Sequence, residues 1–278
     1  MKIIDSHLHF WNPQVLRYDW LKGVPELNHP FEVAEFQQAT ENLSIDGVVF
    51  VEADCAPEEN VAEADWVAAL PAPIKGIVAY APLENGAAAK ATLDQLAQRP
   101  LVKAIRRLVQ AEPIGFAVQP KFIEGVRLLA DYNLAFDIGV RHIQLADALV
   151  LIAACPNVHF VLNHIGKPNI ADHDIEHWRE LMTAISGFDN VDVKFSGLVT
   201  EADRDRWTVD DLRPYVDVIL KEFTPARLMF GSDWPVCTLA ASYARWFGTA
   251  QALLQSLSSD EQQQIFAGTA TRAYQLDA

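Results

Sequence analysis

Positive charge is scarce in this chain: its 278 residues hold 22 Lys and Arg against 37 Asp and Glu, a formal net charge of −15. Nucleic acid and anionic membranes are bound mainly by neutralising phosphate, so neither is an expected partner of so acidic a chain. Cysteine is scarce too. Cys55, Cys155 and Cys237 are an odd number at wide spacing, which offers neither a disulfide framework nor a C-x-x-C metal or redox pair. No apolar run approaches the about 18 residues of a membrane span, and no basic segment leads into an apolar stretch of signal-peptide length at Met1. Together these absences predict a soluble, cytoplasmic protein in a reducing compartment. What is abundant is apolar material: 50% of residues are hydrophobic and 21% charged, the balance of a packed globular chain and not of a disordered one.

Length alone would allow two domains of roughly 150 residues, but no Gly/Ser-rich linker or shift of composition divides the sequence. Eight short β-rich runs lie at 2–10, 46–54, 74–83, 102–110, 134–140, 158–164, 191–197 and 227–235. Most are separated by Ala-, Leu-, Glu- and Gln-rich segments of helical character, at 58–70, 87–98, 120–131, 142–154 and 211–222. Regular alternation of this length is the signature of parallel strands joined by crossover helices. It predicts one α/β domain over residues 1–278, a (β/α)₈ barrel of the TIM type. Residues 11–45, rich in aromatics, are long for a first connection and are expected to form a lid. Residues 259–274 read as a closing helix with Ser258 or Ser259 as N-cap and Glu261 or Gln262 as reciprocal partner.

Side chains alternate between the faces of a strand, and in a barrel one face meets the axis and the other the helices. In the seventh run Val191, Val193 and Phe195 suit helix packing, which leaves Asp192, Lys194 and Ser196 for the axis. Leu228 and Phe230 likewise turn Met229, Gly231 and Asp233 inward. The same period places Phe160, Leu162 and His164 on one face, and Ile3, Asp5, His7 and His9 on another. Two histidines two residues apart on a strand stand about 6.6 Å apart at the backbone, close enough to converge on one ion or one substrate oxygen. His7, His9, His164 and Asp233 therefore meet at the C-terminal mouth, where barrel enzymes place their chemistry.

These residues carry a resemblance. The H-x-H of the first strand, Asn163-His164-Ile165-Gly166-Lys167-Pro168 and Gly231-Ser232-Asp233-Trp234-Pro235 resemble the amidohydrolase superfamily. Residues 9–21, 194–203 and 227–237 narrow the likeness to its sugar lactonases, the fuconolactonases, rhamnonolactonases and galactonolactonases, over essentially the whole chain. The resemblance implies a hydrolase that opens the ester of a sugar (aldono) lactone. Asp233 would take the proton of the attacking water, while His7, His9 and His164, directly or through a metal, polarise the carbonyl. Binuclear members carry a bridging lysine on strand four and a histidine on strand five. Here Arg106 takes the inward position, Lys103 faces the other way, and Asp137, Gly139 and Arg141 follow on the fifth strand. At most one divalent ion is expected, on some of His7, His9, His164 and Asp233; zinc suits nitrogen and carboxylate donors, and metal-independent action stays open. No organic cofactor is implied.

Arg106 and Arg141 are candidate substrate contacts, as is Ser196 on the axis face, whereas Lys194 and Asp192 are expected deeper, in ion pairs with other barrel charges. Arg107 stands where relatives often have histidine, which leaves its role open. Trp11, Trp20 and Trp234 could stack on a sugar ring; Trp11 and Trp234 directly follow mouth residues. Cys237 lies close enough to the eighth loop to line a pocket. His173 and His177 have helical i, i+4 spacing but acidic neighbours, which favours a solvated segment, and His29, His142 and His159 receive no role. Three other functions compete with a neutral sugar lactonase: a 2-pyrone-4,6-dicarboxylate lactonase, which would need free arginines, a metal-dependent decarboxylase, and a non-catalytic binding protein. The resemblance implies a small-molecule lactone as partner, with homo-oligomer formation left open.

Overall fold

The computed structural model describes residues 1–277. Parallel strands follow one another around a sheet in chain order: β1 (Ile4–Leu8), β2 (Gly47–Val51), β3 (Ile74–Tyr80), β4 (Val102–Arg106), β5 (Ala135–Ile138), β6 (Phe160–Leu162), β7 (Val191–Phe195) and β8 (Leu228–Phe230). Each lies inside one of the runs read from the sequence. The ring closes at its C-terminal end, where His9 N–H donates to Trp234 O and Asp233 N–H to His7 O, each at 2.7 Å. The result is a (β/α)₈ barrel. Its strands are buried on both faces, as parallel strands under helices must be. Ile4, Val49, Val78, Ala104, Val161 and Met229 fill the axis, whereas Val48, Phe50, Val193 and Phe230 join the larger core beneath the helices.

Parallel neighbours require crossovers, and helices Asn60–Ala68, Lys90–Leu96, Pro120–Leu128, Leu145–Ala154 and Val209–Phe223 supply them where expected. Two further helices, Glu176–Ser186 and Tyr243–Leu253, are not among the segments read as helical, although Trp178, Met182 and Ile185 recur at helical spacing on the buried side of the first. His177 lies in that helix and, like His173, is exposed. Ser258 caps the closing segment in a reciprocal box with Glu261, but the segment is not one uniform helix. A π turn at Gln264–Gly268 interrupts it, and beyond it Ala270, Tyr274 and Leu276 pack onto the axial layer and close the lower end of the barrel.

The structure corrects the face assignments at the two strands that carry histidine. Phe160 and Leu162 face the helices, not the axis. His164 reaches the mouth because β6 has ended: His164 and Ile165 turn left-handed, with φ of 54° and 47°. In β1 the register shifts between Asp5 and Leu8, which separates Asp5 from the histidine face. Its carboxylate instead accepts from Ser232 N–H at 2.9 Å and the Tyr243 hydroxyl at 3.0 Å.

Candidate active site

At the C-terminal end of the barrel, three imidazoles surround one carboxylate. Nε2 of His9, His7 and His164 lies 3.4, 3.6 and 3.9 Å from Asp233 Oδ1. Local backbone makes the convergence. Asp233 follows β8 in a left-handed conformation, φ 59°, with its N–H held by His7 O. Gly231 and Gly197 leave the room: a Cβ at the first would lie 2.7 Å from His7 Cβ, and at the second 2.5 Å from His164 Nδ1.

Each ring is held from behind. His9 Nδ1 meets the Val51 carbonyl at 2.7 Å. A carbonyl only accepts, so that nitrogen carries a proton, and Nε2 faces the Asp233 carboxylate. His164 Nδ1 meets Ser196 Oγ at 2.9 Å, and His7 Nδ1 meets Lys194 Nζ at 3.2 Å. His7 Nε2 is buried without a hydrogen-bond partner. Burial, aided by Lys194 and the other histidines, drives His7 well below its ordinary value, and burial brings His164 to about 3, so both are neutral imidazoles at neutral pH. Burial opposes ionisation of Asp233, but His164, His9 and Lys167 outweigh it and hold the group at about 2, a carboxylate.

A carboxylate ringed by three imidazole nitrogens, one of them buried without a hydrogen-bond partner, is an arrangement that a cation between them would satisfy. His7, His164 and Asp233 each offer one ligand atom within 4.8 Å of the others, and His9 Nε2 adjoins them. The donor set fits one divalent ion.

A cavity of about 220 Å³ opens over this cluster, walled by Trp11, Trp20, Asp54, Arg106, Asn163 and Lys167. Trp11 and Trp20 come from the long first connection and meet edge to face at 5.2 Å. Both are fixed by their ring N–H, Trp11 to Leu27 O and His29 O, Trp20 to Ala53 O. Arg106 Nε donates to Glu52 Oε1 at 2.6 Å, and Lys167 pairs with Glu201 at 3.1 Å.

Several residues expected at the mouth lie elsewhere. β5 ends before Arg141, which is exposed and stays outside the cavity. Ser196 is buried and spends its hydroxyl on His164, so it orients a ring and does not line the cavity. Trp234 is buried among Phe10, Phe31 and Phe36 at 5.9, 5.5 and 5.4 Å and does not reach the cavity. Cys237 is buried behind Asp233 and lines nothing there. Lys194 pairs with Asp137 at 2.6 Å, as expected of a deep charge, and Asp192 pairs with Arg272 and His159 at the lower end. Arg107 ties Glu84 and Glu112 together.

Sequence reasoning missed Glu52, Asp54, Asn163 and Lys167. Lys167 and Asn163 sit beside His164 in a segment already singled out. Glu52 and Asp54 are the acidic residues just past the end of β2, as Asp233 is past the end of β8, and a carboxylate at that place in a barrel strand is the signal that would have found them.

A family model described as amidohydrolase matches residues 4–276. The chain belongs to the amidohydrolase family. Within it, the chain is 31% identical to the L-fucono-1,5-lactonase of Burkholderia multivorans over 98% of this chain and 96% of that one. It is 25% identical to the L-rhamnono-gamma-lactonase of Scheffersomyces stipitis over 99% of both. A crystal structure of an amidohydrolase from Burkholderia multivorans with bound zinc superposes with a TM-score of 0.90 at 29% identity, covering 100% of each chain. Among the described residues no helix is long and apolar enough to cross a membrane.

Proposed function

We propose that the protein hydrolyses a neutral sugar lactone, with His7, His9, His164 and Asp233 as the catalytic group. The observation that carries this is the convergence of three imidazole Nε2 atoms on the Asp233 carboxylate beneath a wall of two tryptophans. Its relatives named for L-fucono-1,5- and L-rhamnono-gamma-lactone hydrolysis support the same substrate class.

Asp233 takes a proton from a water as its oxygen bonds to the lactone carbonyl carbon. The carbonyl oxygen becomes an oxyanion, for which His7 Nε2–H is a neighbouring hydrogen-bond donor, since His7 Nδ1 accepts from Lys194. The tetrahedral carbon then expels the ring oxygen, Asp233 returns the proton to it, and the product is the open hydroxy acid. Trp20 offers a flat apolar face to the sugar ring, with the buried Trp11 packed edge to face against it. Where a metal is bound, His7, His9, His164 and Asp233 are the residues to hold it, with zinc matched to their nitrogen and oxygen atoms; it would supply Lewis-acid polarisation of the carbonyl.

A dicarboxylate such as 2-pyrone-4,6-dicarboxylate fits less well. Arg106 and Lys167 already have carboxylate partners, and Asp54 adds a negative group to the wall, so each substrate carboxylate would enter without a free cation. Proton release tests the reading, because the acid formed ionises at neutral pH. The assay covers aldono-1,5- and γ-lactones beside pyrone dicarboxylate, with and without chelator. Turnover of aldonolactones at rates insensitive to ionic strength is expected; turnover of pyrone dicarboxylate alone would overturn the proposal.

A further inference from the structure

The barrel's opposite end holds a second cavity, of about 450 Å³, larger than the one at the mouth. Its charged walls are Arg99, Lys103 and Arg272, with His159 beside them, and no Asp or Glu is among its lining residues. In a chain with 37 acidic and 22 basic residues, a lining of this sign runs against the composition.

The strands build it. Lys103 is the second residue of β4, and glycine at position 76 of the neighbouring strand leaves room for its stem, since a Cβ there would lie 3.2 Å from Lys103 Cγ. Among the described residues no carboxylate lies within 4.0 Å of Lys103 Nζ. The two arginines keep donors in reserve. Arg99 gives Nε and Nη2 to Asp65 at 2.6 and 2.7 Å and Nη1 to Gln95 O, three of a guanidinium's five N–H groups. Arg272 uses only Nη2, toward Asp192 and Ala226 O. Tyr274 closes the cavity's inner side, with its hydroxyl committed to Asp137 at 2.8 Å.

We infer that this lower cavity is a binding site for a small multivalent oxyanion, a phosphoryl compound or a polycarboxylate, with Lys103 as its principal charge and the free N–H groups of Arg99 and Arg272 as directional donors. Those planar forks suit paired phosphate or carboxylate oxygens. A neutral lactone carries no charge to pair with Lys103, so the ligand differs from the substrate proposed for the mouth.

Isothermal titration of the full-length protein in chloride buffer, with pyrophosphate and with citrate as separate probes, tests the inference. One-to-one binding of at least one probe is expected. Lys103→Gln should weaken it about tenfold or more, Lys103→Arg should restore most of it, and Asp233→Asn at the far end should bind as wild type. Binding of pyrophosphate alone assigns phosphoryl ligands; binding of citrate alone assigns polycarboxylates. Absence of binding by both at millimolar concentration, or equal binding by Lys103→Gln and wild type, would overturn the site. The partly exposed position of Lys103 keeps the variant foldable, which its melting temperature checks.

Discussion

Two polar layers lie one above the other inside the barrel, and they are built on opposite terms. In the lower, Asp137 accepts from Lys194 at 2.6 Å, Tyr274 at 2.8 Å and Asn163 at 3.0 Å. In the upper, Asp233 has three imidazole nitrogens at 3.4–3.9 Å, and His7 Nε2 has no hydrogen-bond partner. Buried polar groups are costly unless paired. The lower layer pairs its charged groups, leaving Asn163 Oδ1 without a partner, and so reads as structure, whereas the upper leaves its charged and titratable groups aimed at a common point, where a reacting atom can complete them. The difference separates two sets of charged residues that composition and burial alone would class together.

Breaking the lower layer should cost the fold. Lys194→Met strands the Asp137 charge in the interior, and unfolding in urea is expected to show a loss of about 3–5 kcal/mol. Lys194→Met with Asp137→Leu should recover much of it.

A third buried carboxyl sharpens the contrast through pH. Glu63 stands behind the cavity wall, accepting from Ala53 N–H at 3.2 Å, and burial, with Glu52 nearby, pushes it up to about 8 from 4.5. The folded state binds this proton more tightly than the unfolded chain. Its stabilising contribution is therefore complete below about pH 4.5 and is lost as pH rises toward 8. The melting temperature of wild type relative to Glu63→Gln should therefore fall from pH 5 to pH 8, a difference that isolates Glu63 from the opposite slope of the depressed histidines His7 and His164.

Smaller effects lie at the rim. Trp20→Ala removes one face of the aromatic wall and should raise KM about 2- to 10-fold with little change in kcat. Arg141→Ala, outside the cavity, should leave both within about twofold of wild type; a tenfold rise in KM would return Arg141 to the site.

The limits of sequence reading follow the same division. All eight strands were legible because runs such as Val48-Val49-Phe50-Val51 must be buried on both sides. The four residues of the upper cluster were legible by type and position. Their geometry was not, because alternation fails where the chain departs from strand geometry: at the register shift of β1 and at the left-handed turns of His164 and Asp233. Arg141 was misplaced for the same reason, since a face rule was extended past the last hydrogen-bonded residue of β5. Glu52 and Ser196 act through partners distant in the chain, Arg106 and His164, and no local spacing announces such pairs.

Asp233→Asn tests the central claim most directly, because it alters one atom of the unsatisfied layer. On the best aldonolactone, kcat should fall about 10²- to 10⁴-fold while a lactam analogue binds as tightly as to wild type. Turnover near the wild-type rate would contradict the account and place the base elsewhere.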